Sequence, residues 1–304
     1  MTRVLVSGAC GFIGSHVVDL LLQQGHTVWC IDDLSSGLRS NLPDKVEFAE
    51  INIASWYDLV AEFVDFEPEA VIHLAAQPSI CDSFDNPIRD GHVNVMGTLN
   101  MLRAAQKVGT ERFVFSSTSA VYDELYSTLP TPEEWPTHPQ TPYGISKLAA
   151  ESYVRLLMPE GGTVLRFGNV YGPRQVPLGE NQVIPRMIRH FEKGDPFFIH
   201  GEGTQMRDMV YVGDVAQAVA LALNGPAGIY NIASGQAVSV NKLAALIEEI
   251  YEVPGYNWQY DDQTDPRIKV ELDIRKAKDE LKWQPVVDLE TGLRKTVEWW
   301  KAQK

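Results

Sequence analysis

Tyr143 and Lys147 are the residues whose types and spacing point most directly to chemistry. They stand four residues apart in the stretch TPYGISK, and on an α-helix this spacing puts both side chains on one face, where they can meet the same ligand. A free tyrosine has a pKa of about 10 and is a poor base at neutral pH, but a neighbouring positive charge favours the phenolate. The pair therefore predicts proton transfer by Tyr143, provided that the rest of the chain places it at a binding site.

A glycine-rich stretch near the N-terminus predicts such a site. The segment VSGACGFIGSH carries Gly8, Gly11 and Gly14 directly after a predicted strand and at the start of a predicted helix. This arrangement lets the backbone approach a pyrophosphate, which also meets the free N–H groups of the helix N-terminus. Asp32 ends the next strand about 20 residues downstream, where it is expected to accept the ribose hydroxyls of a dinucleotide. Asp33 is either a second carboxylate that repels a 2′-phosphate, which favours NAD over NADP, or a solvated turn residue.

The elements that position these residues alternate along the first half of the chain. Short β-branched and apolar runs, typical of strands buried on both faces, are separated by amphipathic helical segments. The predicted strands are 3–7, 26–31, 70–76, 112–117 and 163–167, and the predicted helices lie near 14–24, 55–66, 92–108 and 143–157. This alternation predicts an α/β fold with a Rossmann-type, doubly wound parallel sheet.

The pattern changes after about residue 172. A Pro/Gly-rich loop precedes a helix near 182–193, a strand and helix follow at 208–224, and further helices are expected near 239–251 and at the C-terminus. We therefore predict two domains. Residues 1–172, with roughly 205–233, form the Rossmann domain, and residues 173–204 and 234–304 form a smaller mixed α/β domain.

The composition restricts the class of partner. The 304-residue chain has a formal net charge of -14, which disfavours nucleic acid and anionic membrane surfaces as partners. No apolar run reaches the roughly 18 residues of a membrane span, and the first residues enter a predicted strand at once, so neither a membrane segment nor a signal peptide is expected. The three cysteines have no metal-ligand spacing. These features predict a reduced, cytoplasmic protein without a metal site.

Several stretches in combination resemble one enzyme family. HLAAQ (73–77), FSSTSAVY (115–122), TPYGISK (141–147) and LRFGNVYGPR (165–174), together with the glycine motif, look like the extended short-chain dehydrogenase/reductase family, in particular its nucleotide-sugar epimerases and dehydratases. The resemblance covers nearly the whole chain. It implies NAD as the cofactor, a nucleoside-diphosphate sugar as the substrate of the smaller domain, and a homodimer built by the helices near 92–108 and 143–157.

The resemblance also implies roles for individual residues. Thr118 would orient the reacting sugar hydroxyl, with Ser117 as the less favoured alternative, while Tyr143 moves the proton and Lys147 contacts the nicotinamide ribose. The further cofactor-binding residues implied by the resemblance are Phe12, Ile13, Ser36, Asn52, Ile53, Leu74, Ala75, Ala76, Gln77, Val93 and Asn94. Asn52 stands where the family usually has an aspartate near the adenine, and it keeps a hydrogen-bonding group there without the charge.

On the substrate side, the resemblance assigns the diphosphate to Arg207. Arg174 is a second candidate for this contact or, alternatively, one half of a structural salt bridge. Asn169, Gln182 and Val183 are further implied contacts with the substrate. A second family arginine is replaced by Gln263, and Arg267 is expected to substitute for it. Val270 occupies a position where a bulky residue restricts the sugar 2-substituent, so that a valine would admit an N-acetyl group.

The residues after Thr118 indicate the reaction. The dehydratases of the family carry Asp-Glu at this place and the decarboxylases carry a glutamate, whereas Ser119 and Ala120 follow here and are unable to do that proton chemistry. The remaining chemistry is reversible hydride transfer, which predicts 4-epimerisation through a 4-keto sugar. The alternatives are a uronate 4-epimerase, a 2-epimerase, a keto-sugar reductase, a 4,6-dehydratase and, least favoured, a non-catalytic NAD-binding protein.

Overall fold

Twelve strands and eleven α-helices make up the described part of the chain. The computed structural model describes residues 1–123, 128–177, 182–262 and 269–303. The strands are β1 (Arg3–Ser7), β2 (Thr27–Asp32), β3 (Glu47–Glu50), β4 (Ala70–His73), β5 (Arg112–Thr118), β6 (Gly162–Phe167), β7 (Asn169–Tyr171), β8 (Phe197–His200), β9 (Met206–Tyr211), β10 (Gly228–Ile232), β11 (Ala237–Ser239) and β12 (Trp258–Asp261). The helices are α1 (Phe12–Gln23), α2 (Trp56–Phe66), α3 (Ile80–Asp85), α4 (Pro87–Gly91), α5 (Thr98–Lys107), α6 (Pro142–Leu157), α7 (Val183–Lys193), α8 (Val212–Ala222), α9 (Val240–Tyr251), α10 (Arg275–Glu280) and α11 (Leu289–Ala302).

The main sheet has seven parallel strands in the order β10–β6–β5–β4–β1–β2–β3. The prediction of a Rossmann-type, doubly wound sheet is confirmed, and five of its strands were predicted within a few residues of their observed bounds. The edge strand β3 was not predicted, because its sequence EFAE is largely polar and lacks the apolar run of a strand covered on both faces.

Side chains from each central strand pack on both faces of the sheet. Along β1, Val4 and Val6 point into the core on one face, while Leu5 points into the core on the other, and all three are fully buried. Helices α1 and α8 cover the first face, and α2, α5 and α6 cover the second. Fully burying an aliphatic side chain is worth about 1.5–3 kcal/mol, so this two-sided core fixes the register of the sheet. The carboxyl ends of the strands consequently meet along one edge.

The second half of the chain builds a smaller unit around its own core. Strands β11, β9 and β7 form one mixed sheet, β12 and β8 pair in parallel, and Ile188, Leu243 and Leu293 pack together from α7, α9 and α11. The helices predicted near 182–193, near 239–251 and at the C-terminus are confirmed. The segment 208–224 is divided between the two units, because β9 joins the smaller sheet while α8 packs against α1. The predicted domain boundaries stay a prediction.

The long helix expected near 92–108 contains a π-helical turn. Residues 92–97 form this turn between α4 and α5. At its end, a Cβ on Gly97 would lie 2.5 Å from the Cδ1 atom of Ile53, so a larger residue there would require the Ile53 side chain to move. Single π turns inside helices occur frequently at functional sites, and this one carries Val93 and Asn94. None of the helices in the described ranges is long and apolar enough to span a membrane.

Candidate active site

A cavity of about 700 Å³ opens at the carboxyl edge of the main sheet, between the two units. Its wall includes the ends of β2, β5 and β6 and the loops that follow β1 and β4, and on the opposite side it includes β8, β9 and the start of α7. Open parallel sheets bind ligands at this edge, and the volume is in the usual range for a small-molecule site. The residues predicted from separate motifs therefore converge on one cavity.

The glycine loop approaches other backbone segments too closely for side chains. Gly8 has a φ of +68°, and a Cβ there would lie 2.6 Å from the backbone nitrogen of Ala75. A Cβ on Gly14 would lie 2.0 Å from the carbonyl oxygen of Gly8. Gly11 is the N-cap residue of α1 and brings no capping side chain, so the first N–H groups of this helix face the cavity and are suited to an anion.

Asp32 lies at the end of β2, buried beside this loop. Its two carboxylate oxygens accept hydrogen bonds from the backbone N–H groups of Cys10 at 2.9 Å and Leu34 at 2.8 Å. Burial raises the pKa of Asp32, while these two backbone hydrogen bonds act in the opposite direction. Each oxygen keeps a second lone pair, so the carboxylate can accept two further hydrogen bonds from a ligand.

Asp33 and Asn52 form a pair beside Asp32. The amide nitrogen of Asn52 donates to Asp33 at 3.0 Å, and the other oxygen of Asp33 accepts from the backbone N–H of Ser35, also at 3.0 Å. Both side chains line the cavity. The turn interpretation of Asp33 is thus consistent with its contacts, and the role of Asn52 near the adenine stays a prediction.

Most of the residues predicted to bind the dinucleotide share the cavity wall. Those that line it are Gly8, Gly11, Phe12, Ile13, Gly14, Asp32, Asp33, Ser36, Asn52, Ile53, Leu74, Ala75, Ala76, Gln77, Val93, Tyr143 and Lys147. Asn94 instead lies buried behind the wall, where its side-chain oxygen accepts from the backbone N–H of Gln77 at 2.9 Å and its amide nitrogen donates to the carbonyl of Gln77 at 3.2 Å. Its contacts in the structure fix the segment after β4.

Helix α6 brings Tyr143 and Lys147 to the cavity from its first two turns. Thr141 caps this helix by accepting from the N–H of Gly144, and Pro142 occupies the first helical position. The ammonium of Lys147 is almost fully buried and lies 4.4 Å from the centroid of the Phe115 ring. Thr118, at the end of β5, lies close enough to Tyr143 for its hydroxyl to favour the ionised phenol. The three residues named from the sequence as catalytic candidates therefore meet at one place.

The pKa of Tyr143 depends on all of its surroundings and not only on the neighbouring ammonium. The pKa of the phenol is raised to about 12, chiefly because burial removes hydration from the ionised form; Thr118 favours the ionised form, and the negative charge of Asp90 opposes it. Burial also lowers the pKa of Lys147 to about 7, against the opposing effects of Glu151 and Asp90. In the protein alone, the phenol of Tyr143 is therefore less acidic than a free tyrosine, despite the neighbouring ammonium.

Ser117 is engaged elsewhere, which favours Thr118 as the cavity hydroxyl. The Ser117 hydroxyl donates to the buried carboxylate of Glu151. That carboxylate is held by Arg166, whose Nε and Nη2 donate to its two oxygens at 3.0 and 2.7 Å. Thr118 faces the cavity, and its hydroxyl also accepts from the N–H of Ala120.

The opposite wall holds the residues predicted to bind the substrate. Asn169, Gln182, Val183 and Arg207 line it, and Val270 lies beside them. Arg207 is largely buried and donates to the carbonyl of Met206 at 2.8 Å. Arg267 and Gln263 lie outside the described residues.

Arg174 forms the structural salt bridge that was one of the two roles considered for it. The residue lines the cavity, and its guanidinium pairs with Asp19 on α1 at 2.8 Å. One guanidinium nitrogen, Nη1, is buried without a hydrogen-bond partner. The salt bridge and the anion contact are therefore compatible.

Sequence reasoning missed two buried acids next to the catalytic candidates. Glu151 extends the stripe Tyr143, Lys147, Glu151 at four-residue spacing, and this spacing could have identified it. Asp90 is almost fully buried near both Tyr143 and Lys147, although it is distant from them in sequence. The only signal for Asp90 in the sequence is that it stands four residues before Asn94.

Comparisons with known proteins agree with this geometry. A family model described as the NAD dependent epimerase/dehydratase family matches residues 4–233. The chain is 40% identical to a putative UDP-glucose 4-epimerase of Methanocaldococcus jannaschii and 37% identical to a UDP-glucose 4-epimerase of Mycolicibacterium smegmatis, in each case over 98% of both chains. It is also 32% identical to UDP-glucuronic acid decarboxylase 1 of Xenopus tropicalis, covering 99% of this chain and 72% of that protein.

Solved structures give the same result. A UDP-glucose 4-epimerase of Thermotoga maritima, crystallised with UDP-glucose, superposes with a TM-score of 0.94 at 40% identity over 99% of each chain. A UDP-glucose 4-epimerase of Thermus thermophilus in complex with NAD has a TM-score of 0.93 at 35% identity, covering 99% of this chain and 100% of that one. A UDP-N-acetylglucosamine 4-epimerase of Methanobrevibacter ruminantium, in complex with UDP-N-acetylmuramic acid, also has a TM-score of 0.93, at 32% identity over 100% of this chain and 99% of that one.

The buried ion pair beneath the catalytic residues should be costly to break. Replacing Glu151 with alanine leaves Arg166 buried without its charge partner, so we expect the free energy of unfolding to fall by about 3–5 kcal/mol, measured by urea denaturation. The control is Glu290→Ala, which breaks an exposed pair with Arg294 at 2.8 Å that water already screens. Similar losses in the two variants would contradict a structural role for the buried pair.

Proposed function

Since the chain belongs to the NAD-dependent epimerase/dehydratase family, we propose that it inverts C4 of a nucleoside-diphosphate sugar through a transient 4-keto sugar. The proposed substrates are UDP-glucose and UDP-galactose or their N-acetylated analogues. The observation that carries this proposal is that Thr118, Tyr143 and Lys147 line the same cavity as the glycine loop.

The described residues fit a bound dinucleotide. The glycine loop leaves no room for a Cβ at Gly8 or Gly14, the N-terminus of α1 faces the cavity, and Asp32 presents carboxylate lone pairs beside it. We assign the pyrophosphate to the loop, the adenosine ribose to Asp32, and the nicotinamide end to the wall near Tyr143 and Lys147. When bound there, NAD supplies a hydride acceptor and donor together with a positive ring charge.

Tyr143 is the proposed acid and base. Its phenolate takes the proton of the sugar 4-hydroxyl. Its phenol returns that proton after the 4-keto sugar has rotated in the site. Thr118, which lines the cavity beside Tyr143, is assigned to orient the same hydroxyl. Lys147 places positive charge beside the phenol, and its pKa of about 7 lets it exchange a proton near neutral pH. The protein groups on their own hold the pKa of Tyr143 at about 12, so the reaction needs added positive charge in the bound state.

The residues that follow Thr118 favour epimerisation over elimination or decarboxylation. Ser119 and Ala120 form a 3₁₀ turn in the cavity wall, and neither carries a carboxyl group. Elimination of water needs a positioned acid and base at this point. This favours the epimerases over the decarboxylases among the relatives.

The opposite wall is proposed to hold the rest of the substrate. Arg207 is assigned to the diphosphate, since a guanidinium forms strong, bidentate hydrogen bonds with phosphate oxygens in a dry site. Gln182 and Val183, at the start of α7, lie on the same wall and are assigned to the nucleotide, and Asn169 to the sugar. This arrangement leaves the sugar between Arg207 and Tyr143.

A homodimer is also proposed. Large apolar side chains are exposed on the outer face of the helices predicted to form it: Ile88 on α4, Met96 in the π turn, and Ile145, Tyr153 and Leu156 on α6. Two copies that pack these faces together would bury them in a four-helix bundle.

The first prediction concerns the proton carrier. Tyr143→Phe should still bind NAD, but its rate of sugar epimerisation should fall by at least about 10²-fold. The substitution removes only the hydroxyl that carries the transferred proton. Turnover is read by NMR on a panel of nucleotide sugars, and bound NAD is measured after the protein is denatured. The matched control is Tyr153→Phe on the outer face of the same helix, which should keep full activity. Inversion at a carbon other than C4, or net reduction of a keto sugar, would contradict the proposed reaction.

The second prediction concerns the sugar 2-substituent. Val270 is small and lines the cavity, which supports room for an N-acetyl group. We expect the wild type to epimerise both UDP-glucose and UDP-N-acetylglucosamine, and Val270→Tyr to lose at least about tenfold in kcat/KM for the N-acetylated sugar alone. UDP-glucose turnover by the same variant is the control for folding. A wild type that epimerises UDP-glucose but not UDP-N-acetylglucosamine would remove this proposal.

The third prediction concerns assembly. The double variant Ile145→Glu, Leu156→Glu should be a monomer at micromolar concentrations in sedimentation experiments in which the wild type is a dimer, because it places charges in an apolar interface. Val286→Glu, which changes an equally exposed apolar residue elsewhere, should leave the dimer intact. A dimer in the double variant would place the interface on another face.

A further inference from the structure

Asp90 is a buried acid beside the catalytic helix that the mechanism above does not use. It lies on α4 with 1% of its surface exposed, and α4 packs directly against α6. Its Oδ1 accepts hydrogen bonds from the side-chain amides of Asn94 at 3.0 Å and Gln77 at 3.2 Å. Burying a carboxylate without a cation partner is costly, so its presence here calls for a compensating charge.

A short hydrogen-bond chain fixes Asp90 relative to Tyr143. The Asn94 amide that donates to Asp90 also lies 3.1 Å from the Ser146 hydroxyl, which donates to the backbone carbonyl of Tyr143 at 2.9 Å. These contacts connect α4, the π turn and the first turn of α6. The carboxylate is therefore held in a fixed place close to the reacting groups.

The charge of Asp90 acts on both catalytic side chains. It raises the pKa of Tyr143 by opposing the phenolate, and it raises the pKa of Lys147 by favouring the ammonium. In return, burial raises the pKa of Asp90, while the nearby Ser146 hydroxyl and the charge of Lys147 favour its ionised form. The influence on each group is electrostatic and has a definite sign.

The other titratable groups near Tyr143 and Lys147 are either already paired or neutral, so Asp90 is the counter-charge of Lys147. Glu151, on α6, has the larger effect on Lys147, but both of its oxygens are paired with Arg166 on β6, so its charge is already compensated. His73, on β4, has its pKa lowered to about 3 by burial and by Lys147, so it is neutral. The side chains that donate to Asp90, those of Gln77 and Asn94, are neutral amides.

We propose that Asp90 is a positioning residue for the reaction: its buried carboxylate is the counter-charge that keeps the ammonium on Lys147 and the proton on Tyr143 in the resting site. The proposal rests on the proposed function in that Tyr143 is the group that exchanges a proton with the sugar. Asp90 itself lies behind the cavity wall and acts only through Tyr143 and Lys147.

The test is the variant Asp90→Asn, which removes the charge, matches the size and keeps an oxygen to accept from Gln77 and Asn94. Phenolate from Tyr143 is measured in the purified protein by ultraviolet absorbance, as the difference between each protein and its Tyr143→Phe counterpart. Because removing a negative charge lowers the pKa of a nearby phenol, Asp90→Asn should show several-fold more phenolate than the wild type at about pH 11. The pH profile of kcat should move to lower pH as well.

The control is Asp85→Asn, which removes the same charge from an exposed position on the neighbouring helix α3 and should leave the titration of Tyr143 unchanged. If Asp90→Asn does not fold, Asp90→Ser carries the same expectation, because its hydroxyl can also accept a hydrogen bond. An unchanged Tyr143 titration in a folded Asp90 variant would overturn the proposal. A shifted titration in a protein that inverts no nucleotide sugar would support the electrostatic role and overturn the proposed function instead.

Discussion

Burying the ammonium of Lys147 places the strongest constraint on the structure around the site. An ammonium deep in the protein loses its hydration, and the pKa of Lys147 falls to about 7 although two nearby acids raise it. One of these acids, Glu151, brings its own requirement, since it is buried too and needs Arg166. Arg166 in turn stacks on Tyr122 and donates to the carbonyl of Glu133. A single catalytic charge thus fixes side chains on β5, α6 and β6.

The main sheet makes this arrangement possible because its parallel strands end along one edge. Ser117 and Thr118 are consecutive residues of β5, so their side chains point to opposite faces of the sheet. Ser117 therefore reaches the buried Glu151, while Thr118 reaches the cavity and Tyr143. The end of β5 therefore contributes one side chain to the buried network of Glu151 and another to the cavity beside Tyr143. The glycine loop adds the close backbone approach on the other side of the cavity.

The features predicted correctly from the sequence are those encoded by local pattern. Buried strands, the glycine loop and the four-residue spacing of Tyr143 and Lys147 each depend on neighbours within one element. The polar edge strand β3 and the π turn were missed, because pairing at a sheet edge and packing against Ile53 are tertiary effects. The pKa of Tyr143 in the protein alone also depends on tertiary contacts. Spacing shows that an ammonium is near the phenol, but not that Lys147 is buried, that the phenolate loses hydration or that Asp90 faces both groups.

The resting charges of the site suit the proposed reaction, in which one group both takes and returns a proton. A group that takes a proton in one half of the reaction and returns it in the other must not hold the proton too weakly or too strongly. In the protein's own field, Asp90 and the burial of Tyr143 hold the proton on the phenol, whereas Thr118 favours its release. Any positive charge that binds beside Tyr143 shifts this balance toward the phenolate, so ionisation becomes linked to binding. A neutral phenol before binding is therefore the state expected of a base that is active only in the assembled site.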